Sequence, residues 1–162
     1  MIEHIIQKIL FHTYMDHAEK KDAEYIKNME LSEIEDNAIY IGYEYQYLEN
    51  VAAAARMMRM SKTNASLYNR CIASYTFYYE DHIYLNNYKK QGISITYEQL
   101  ADCKRKGNVK FNQGRGILKV KLQDGTKWLM YVCGADKDRA KEESITKEIR
   151  ELVNQKCGMQ IF

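Results

Sequence analysis

The sequence predicts an α+β protein in which a series of short antiparallel strands is followed by one C-terminal helix. Between residues 72 and 132, short segments rich in tyrosine, isoleucine and valine alternate apolar and polar side chains. The pair Asp124-Gly125 separates two of these segments, and this dipeptide is typical of a tight β-hairpin. From about residue 138 the apolar side chains recur at helical spacing instead, so the strands precede a final helix.

The first part of the chain adds helical segments before these strands. Apolar side chains at helical spacing predict one long or once-broken helix from residue 2 to residue 29. Residues 39 to 47 alternate in the manner of a strand, with a helix as the second interpretation, and residues 51 to 60 favour a helix. We therefore expect an N-terminal helical extension at 1 to 30 and a main domain at 31 to 162.

The main domain begins with strands that are separated by short turns. Glu80-Asp81 and Gln91-Gly92 supply two of these turns. The alternation of side chains places the strands at 72 to 79, 82 to 86, 93 to 98 and 109 to 111, followed by a hairpin at 116 to 132.

The final helix is predicted from about residue 138 to residue 156. Asp136 or Asp138 would cap its start, and Gly158 would end it. Its apolar stripe consists of Ala140, Ile145, Ile149, Leu152 and Val153.

The hairpin allows the facing residues to be predicted. A two-residue loop at Asp124-Gly125 would place Lys121 opposite Trp128, whereas a longer loop would reverse the assignment of faces. With the short loop, the core face would carry Leu118, Val120, Leu122, Leu129 and Tyr131. The less apolar face would carry Ile117, Lys119, Lys121, Trp128, Met130 and Val132. A lysine could then lie over the ring of the single tryptophan.

These features resemble the pleckstrin-homology (PH) superfold in its bacterial or GRAM-like form. The resemblance rests on the strand at 77 to 85, the segment at 93 to 100, the hairpin at 116 to 132 and the closing helix, and it covers about 72 to 156. It implies a bent antiparallel sheet or partly open barrel capped by the C-terminal helix. It also implies a docking surface for a lipid headgroup, peptide or protein, without catalysis.

The remaining composition favours a soluble, cytoplasmic protein that is not an enzyme. No apolar run reaches the length of a transmembrane helix. Cys71, Cys103, Cys133 and Cys157 are widely spaced, which favours buried free thiols over a metal or redox motif. We found no nucleotide-binding, metalloprotease or serine-hydrolase motif. His12, Asp16 and His17 do not share one helical face in a way that suits a metal, so no metal or cofactor is expected.

Charge is distributed unevenly along the chain, although the formal net charge is only +2. Residues 1 to 50 contain eleven acidic and four basic side chains, whereas eight basic side chains between 104 and 127 are opposed only by Asp124. A basic surface attracts anionic partners. The candidate ligand-binding residues are Lys104, Arg105, Lys106, Lys110, Arg115, Lys119, Lys121 and Trp128.

The charge pattern predicts a docking module that binds an acidic protein surface or an anionic lipid headgroup. The alternative is an immunity-protein type of regulator that neutralises a protein partner through its acidic N-terminal helix. A third interpretation is that this helix covers the basic surface, within one chain or across a homodimer. The pI of 8.2 argues against a dedicated nucleic-acid-binding protein.

Overall fold

The computed structural model describes residues 38–43, 74–87, 90–134 and 139–162. The helices predicted at 2 to 29 and 51 to 60 lie outside these residues, and so do the acidic N-terminal surface and the candidate N-caps Asp136 and Asp138. Within the described residues the protein is α+β, as the sequence predicts, with two antiparallel sheets and two helices.

The elements follow one another along the chain with short connections. In chain order they are β1 Tyr40–Gly42, β2 Tyr75–Tyr78, β3 His82–Asn86, β4 Ile93–Thr96, α1 Tyr97–Arg105, β5 Val109–Asn112, β6 Ile117–Lys121, β7 Lys127–Tyr131 and α2 Arg139–Cys157. Strands β1 to β4 form the first sheet in that order, and strands β5 to β7 form the second sheet.

The predicted strand at 93 to 98 is too long at its C-terminal end, because α1 begins at Tyr97. Thr96 caps this helix: the Gln99 amide donates to the Thr96 hydroxyl oxygen (3.0 Å), and the Thr96 amide donates to the Gln99 side chain (2.8 Å). This reciprocal pair stabilises a helix start that alternation alone does not reveal. The buried side of α1 carries Tyr97, Leu100, Ala101 and Cys103.

The hairpin between β6 and β7 exists, but its predicted register is wrong by one residue. The Leu122 amide donates to the Thr126 carbonyl (2.9 Å), so three residues form the loop. Gly125 has φ +85° there, the left-handed conformation that such a loop requires. Consequently Trp128 pairs with Val120, and Lys121 pairs with Lys127.

A shift of one residue moves the side chains of β7 to opposite faces. Trp128 and Met130 therefore lie in the core with Leu118 and Val120, where Trp128 is 7% exposed. Leu129 and Tyr131 share the other face of the sheet with Lys119 and Lys121. We call this side the outer face of the second sheet.

Helix α2 closes the core close to its predicted boundaries. It buries Ile149, Val153 and Cys157, and the left-handed Gly158 (φ +65°) follows its last turn. The Cys157 thiol donates to the Tyr97 carbonyl (3.3 Å), and burial raises the pKa of Cys157 to about 11. Among the described cysteines, all three are free and buried, as predicted: Cys103, Cys133 and Cys157.

The two sheets are joined by side chains that bind the free edge of β7. Strand β6 pairs with one edge of β7, and the amide and carbonyl groups of Leu129 and Tyr131 point the other way. The Asn87 side chain accepts from the Leu129 amide (2.9 Å) and donates to the Leu129 carbonyl (2.9 Å). The Tyr131 amide donates to the Thr76 hydroxyl oxygen (2.9 Å), and the Tyr78 hydroxyl donates to the Tyr131 carbonyl (2.5 Å). Side chains thus satisfy the outward groups of Leu129 and Tyr131, and just beyond β7 the Tyr43 amide donates to the Cys133 carbonyl (2.7 Å).

Replacement of Asn87 by alanine tests this junction. Asn87→Ala would leave the Leu129 amide and carbonyl without their partner in a buried site, so we expect it to lower the free energy of unfolding by about 2 to 3 kcal/mol. Urea denaturation followed by the fluorescence of Trp128 measures this loss. Gln123→Ala, in the exposed hairpin loop, is the control and should stay within about 0.5 kcal/mol of the parent protein. A loss no larger than that of the control would contradict the role of Asn87.

Candidate functional site

Four lysines lie together on the outer face of the second sheet. Across the strands, Lys110 of β5 is opposite Lys119 of β6, and Lys121 of β6 is opposite Lys127 of β7. All four side chains are exposed. We call Lys110, Lys119, Lys121 and Lys127 the lysine cluster. Like charges placed directly opposite each other across strands are destabilising, so this arrangement works against folding of the free protein.

No carboxylate among the described residues forms an ion pair with the lysine cluster. Asp124 is the only acid in the surrounding segment from 104 to 127. Its carboxylate accepts from the Thr126 amide (2.9 Å) and the Thr126 hydroxyl (2.6 Å), and these bonds lower the pKa of Asp124. Asp124 therefore stabilises the hairpin loop. Its carboxylate does not neutralise the positive charge of the lysine cluster.

The lysine cluster lines a cleft of about 980 Å³ that is partly open to solvent. One wall is the outer face of the second sheet, and the other includes Ser74, before β2, and Asn87, after β3. Of the residues that the structure describes, six basic side chains line the cleft: Lys90, Lys110, Arg115, Lys119, Lys121 and Lys127. We call it the basic cleft.

Lys90 brings a positive charge to the basic cleft from the connection between β3 and β4. Its ammonium group donates to the Lys127 carbonyl (2.5 Å) and lies 4.7 Å from the centroid of the Trp128 ring. The Trp128 indole N–H donates to the Thr126 hydroxyl oxygen (3.0 Å). The cation over the tryptophan is thus Lys90 and not Lys121, which corrects the prediction made from the two-residue loop.

Arg115 lies at the other end of the basic cleft, in the turn between β5 and β6. The Arg115 amide donates to the Asn112 side-chain oxygen (3.2 Å), and the left-handed Gly116 (φ +62°) completes the turn. This turn fixes the backbone position of Arg115, which is part of the cleft lining.

Five of the eight predicted site residues line the basic cleft: Lys110, Arg115, Lys119, Lys121 and Trp128. The other three are at the end of α1 and do not line it. Arg105 pairs with Glu98 (2.8 Å) and Lys106 pairs with Asp102 (2.9 Å), while the Lys104 carbonyl accepts from the Gly107 amide (3.1 Å). These residues stabilise and end the helix.

The prediction omitted two basic residues of the cleft, Lys90 and Lys127. Lys127 carries a sequence signal, because it belongs to the same basic segment as Lys119 and Lys121. Lys90 has no such sequence signal. It reaches Lys127, 37 residues away in the sequence, only because the two sheets pack together.

The basic cleft is suited to bind anions through charge. Among the described residues, no group of three or more histidine, cysteine or acidic side chains could hold a metal ion. No helix in the described part of the chain is long and apolar enough to cross a membrane. Comparison with protein-family models, curated proteins and solved structures found no match to this chain.

The electrostatic cost of the lysine cluster can be measured in the free protein. We expect the double variant Lys119→Gln/Lys121→Gln to melt roughly 1 to 4 °C above the parent protein at low salt, because it removes both like-charge pairs. Added salt should raise the melting temperature of the parent protein more than that of the variant, since salt screens exposed charges. Thermal unfolding followed by Trp128 fluorescence gives both values.

The control for this measurement is Lys141→Gln/Lys147→Gln, which changes the net charge equally on the exposed side of α2. It should not raise the melting temperature, because Lys147 pairs with Glu151 (3.8 Å) in the parent protein. Equal changes of the melting temperature in the two variants would show that the repulsion is not concentrated in the lysine cluster.

Proposed function

We propose that this protein is a non-catalytic docking module that binds an anionic partner in the basic cleft. The observation that carries the proposal is the cross-strand pairing of Lys110 with Lys119 and of Lys121 with Lys127. A sheet face that serves only to remain solvated has no need of like-charge pairs, and alternating signs would stabilise it better. An anion placed over the cluster would relieve the repulsion, so binding and folding would support each other.

The partner would be attracted by charge and then held within the concave site. Six basic side chains on one cleft raise the local potential, which speeds the approach of an anion and makes binding weaken as salt increases. Lys90 joins this set through its bond to the Lys127 carbonyl. The cleft therefore combines residues of the second sheet with residues from the segments that adjoin β2 and β3 of the first sheet, and its shape depends on the junction of the two sheets.

We also propose that the fold belongs to the PH-like superfold. The order of a four-stranded sheet, a three-stranded sheet and a closing helix supports this proposal. The basic surface lies on β5 to β7, and its binding role is argued from those strands alone. The three cysteines in the described part of the chain are buried and free, which supports the proposal of a reducing, cytoplasmic location.

The alternative function, neutralisation of a protein partner, depends on the acidic segment from 2 to 29. That segment lies outside the described residues, so the alternative stays a prediction from the sequence.

Chromatography on phosphocellulose tests the docking proposal. We expect the parent protein to elute at a salt concentration about twofold higher than Lys119→Gln/Lys121→Gln, because the variant loses two charges of the cluster. Lys141→Gln/Lys147→Gln has the same net charge as that variant and should elute close to the parent protein. If the two variants elute together, net charge alone governs retention and the basic cleft is not the binding site.

A further inference from the structure

We propose that the occupant of the basic cleft is a soluble, compact small molecule that carries several phosphate groups. This inference rests on the proposed function and narrows it to one class of partner. Four observations on the basic cleft support the inference. They are its concave shape, the predominance of lysine over arginine, the density of its charge and the scarcity of exposed apolar side chains.

The shape of the basic cleft suits a small molecule. Its volume of about 980 Å³ lies at the upper end of the roughly 300 to 1,000 Å³ that is typical of small-molecule sites. A protein partner generally requires a broader surface with an apolar, aromatic centre, from which lysine is depleted. Among the described lining residues lysine is the most frequent, and the larger apolar groups are Leu129, which is half-buried, and the buried Trp128 and Tyr131.

The basic side chains of the cleft favour phosphate over carboxylate. Among the described residues that line the cleft, five of the six basic side chains are lysines and one, Arg115, is an arginine. Arginine binds planar carboxylates, and phosphates as well, through two parallel hydrogen bonds, whereas the lysine ammonium acts as a compact charge with three donors that can turn toward any oxygen of a tetrahedral phosphate. A site selected for acidic side chains would gain from arginine at Lys119 or Lys121, where the strands hold the side chains in fixed register.

The density of charge requires several anionic groups within a short distance. Lys119 and Lys121 are two residues apart on one strand, a spacing of about 7 Å, and each faces another lysine at about 4.5 to 5.5 Å between Cα atoms. The lysine cluster thus occupies a patch of roughly 7 by 10 Å. A single phosphate leaves most of this charge unbalanced, and a nucleic-acid chain would extend past the patch. Single-stranded nucleic acids also need exposed aromatic rings for stacking, whereas Trp128 and Tyr131 are buried.

A soluble ligand fits this surface better than a lipid bilayer does. Docking at a bilayer is strengthened by apolar side chains that enter the membrane beside the charged site. Among the described residues, Ile39 is the only large apolar side chain that is exposed, and it does not line the basic cleft. The described surface around the lysine cluster therefore offers charge without an apolar contact for lipid.

Isothermal titration calorimetry with tripolyphosphate tests the inference on the full chain. We expect the parent protein and Lys141→Gln/Lys147→Gln to bind it equally, and Lys119→Gln/Lys121→Gln to bind it at least about tenfold more weakly. The independent variant Lys110→Gln/Lys127→Gln should show a similar loss. Trimetaphosphate and citrate, which have nearly equal charge at neutral pH, compare phosphate with carboxylate. Citrate should bind at least about tenfold more weakly than trimetaphosphate.

Further probes separate failure of the inference from failure of the proposed function. If a polyglutamate peptide, a single-stranded oligonucleotide or phosphatidylserine vesicles bind more tightly than tripolyphosphate, and Lys119→Gln/Lys121→Gln abolishes that binding, the docking function stands and the small phosphorylated ligand is wrong. Equal binding of citrate and trimetaphosphate would also overturn the preference for phosphate. If no anionic probe depends on Lys119 and Lys121, both proposals are wrong.

Discussion

The structure depends on the hydrogen bonds that the backbone groups on the free edge of β7 make. The outward amide and carbonyl groups of this edge must find partners when they are removed from water. The side chains of Thr76 and Tyr78 in β2, and of Asn87 just after β3, supply those partners. Gly42 permits the close approach, because a Cβ atom there would lie 2.0 Å from the Tyr131 carbonyl oxygen. The second sheet is therefore held at a fixed position on the first through specific polar bonds as well as through apolar burial.

The same junction shapes the basic cleft. When β7 is held by its edge, one face of the second sheet covers the core with Leu118, Val120, Trp128 and Met130, and the outer face carries the lysine cluster. The connection after β3 then brings Lys90 beside Lys127. The packing of the two sheets thus brings together, in the basic cleft, positive charges that lie on separate segments of the sequence. This concentration opposes the stability of the free protein, a cost that is common where a surface is built for binding.

The sequence predicts the elements better than their contacts. Alternation of side chains located β3 and the hairpin strands, and Gly158 marked the end of α2, because these features depend on local geometry. Helix α1 was missed although Thr96 and Gln99 form a recognisable capping pair, since the preceding alternation favoured a longer strand. The hairpin register depended on one additional loop residue, and the role of Lys90 depended on packing between distant segments. The Asp124-Gly125 pair fits a loop of two or of three residues, and packing between distant segments leaves no local pattern.

The central claim is that an anion binds in a cleft formed by the second sheet and the segments that adjoin the first sheet. The most direct test is NMR mapping of backbone amide shifts during titration of the full chain with tripolyphosphate. The account predicts saturable shifts at Lys110, Lys119 and Lys121 on the second sheet, together with shifts at Asn87 and Lys90 across the junction. Shifts centred on α2, or small shifts dispersed over all basic residues without saturation, would contradict it.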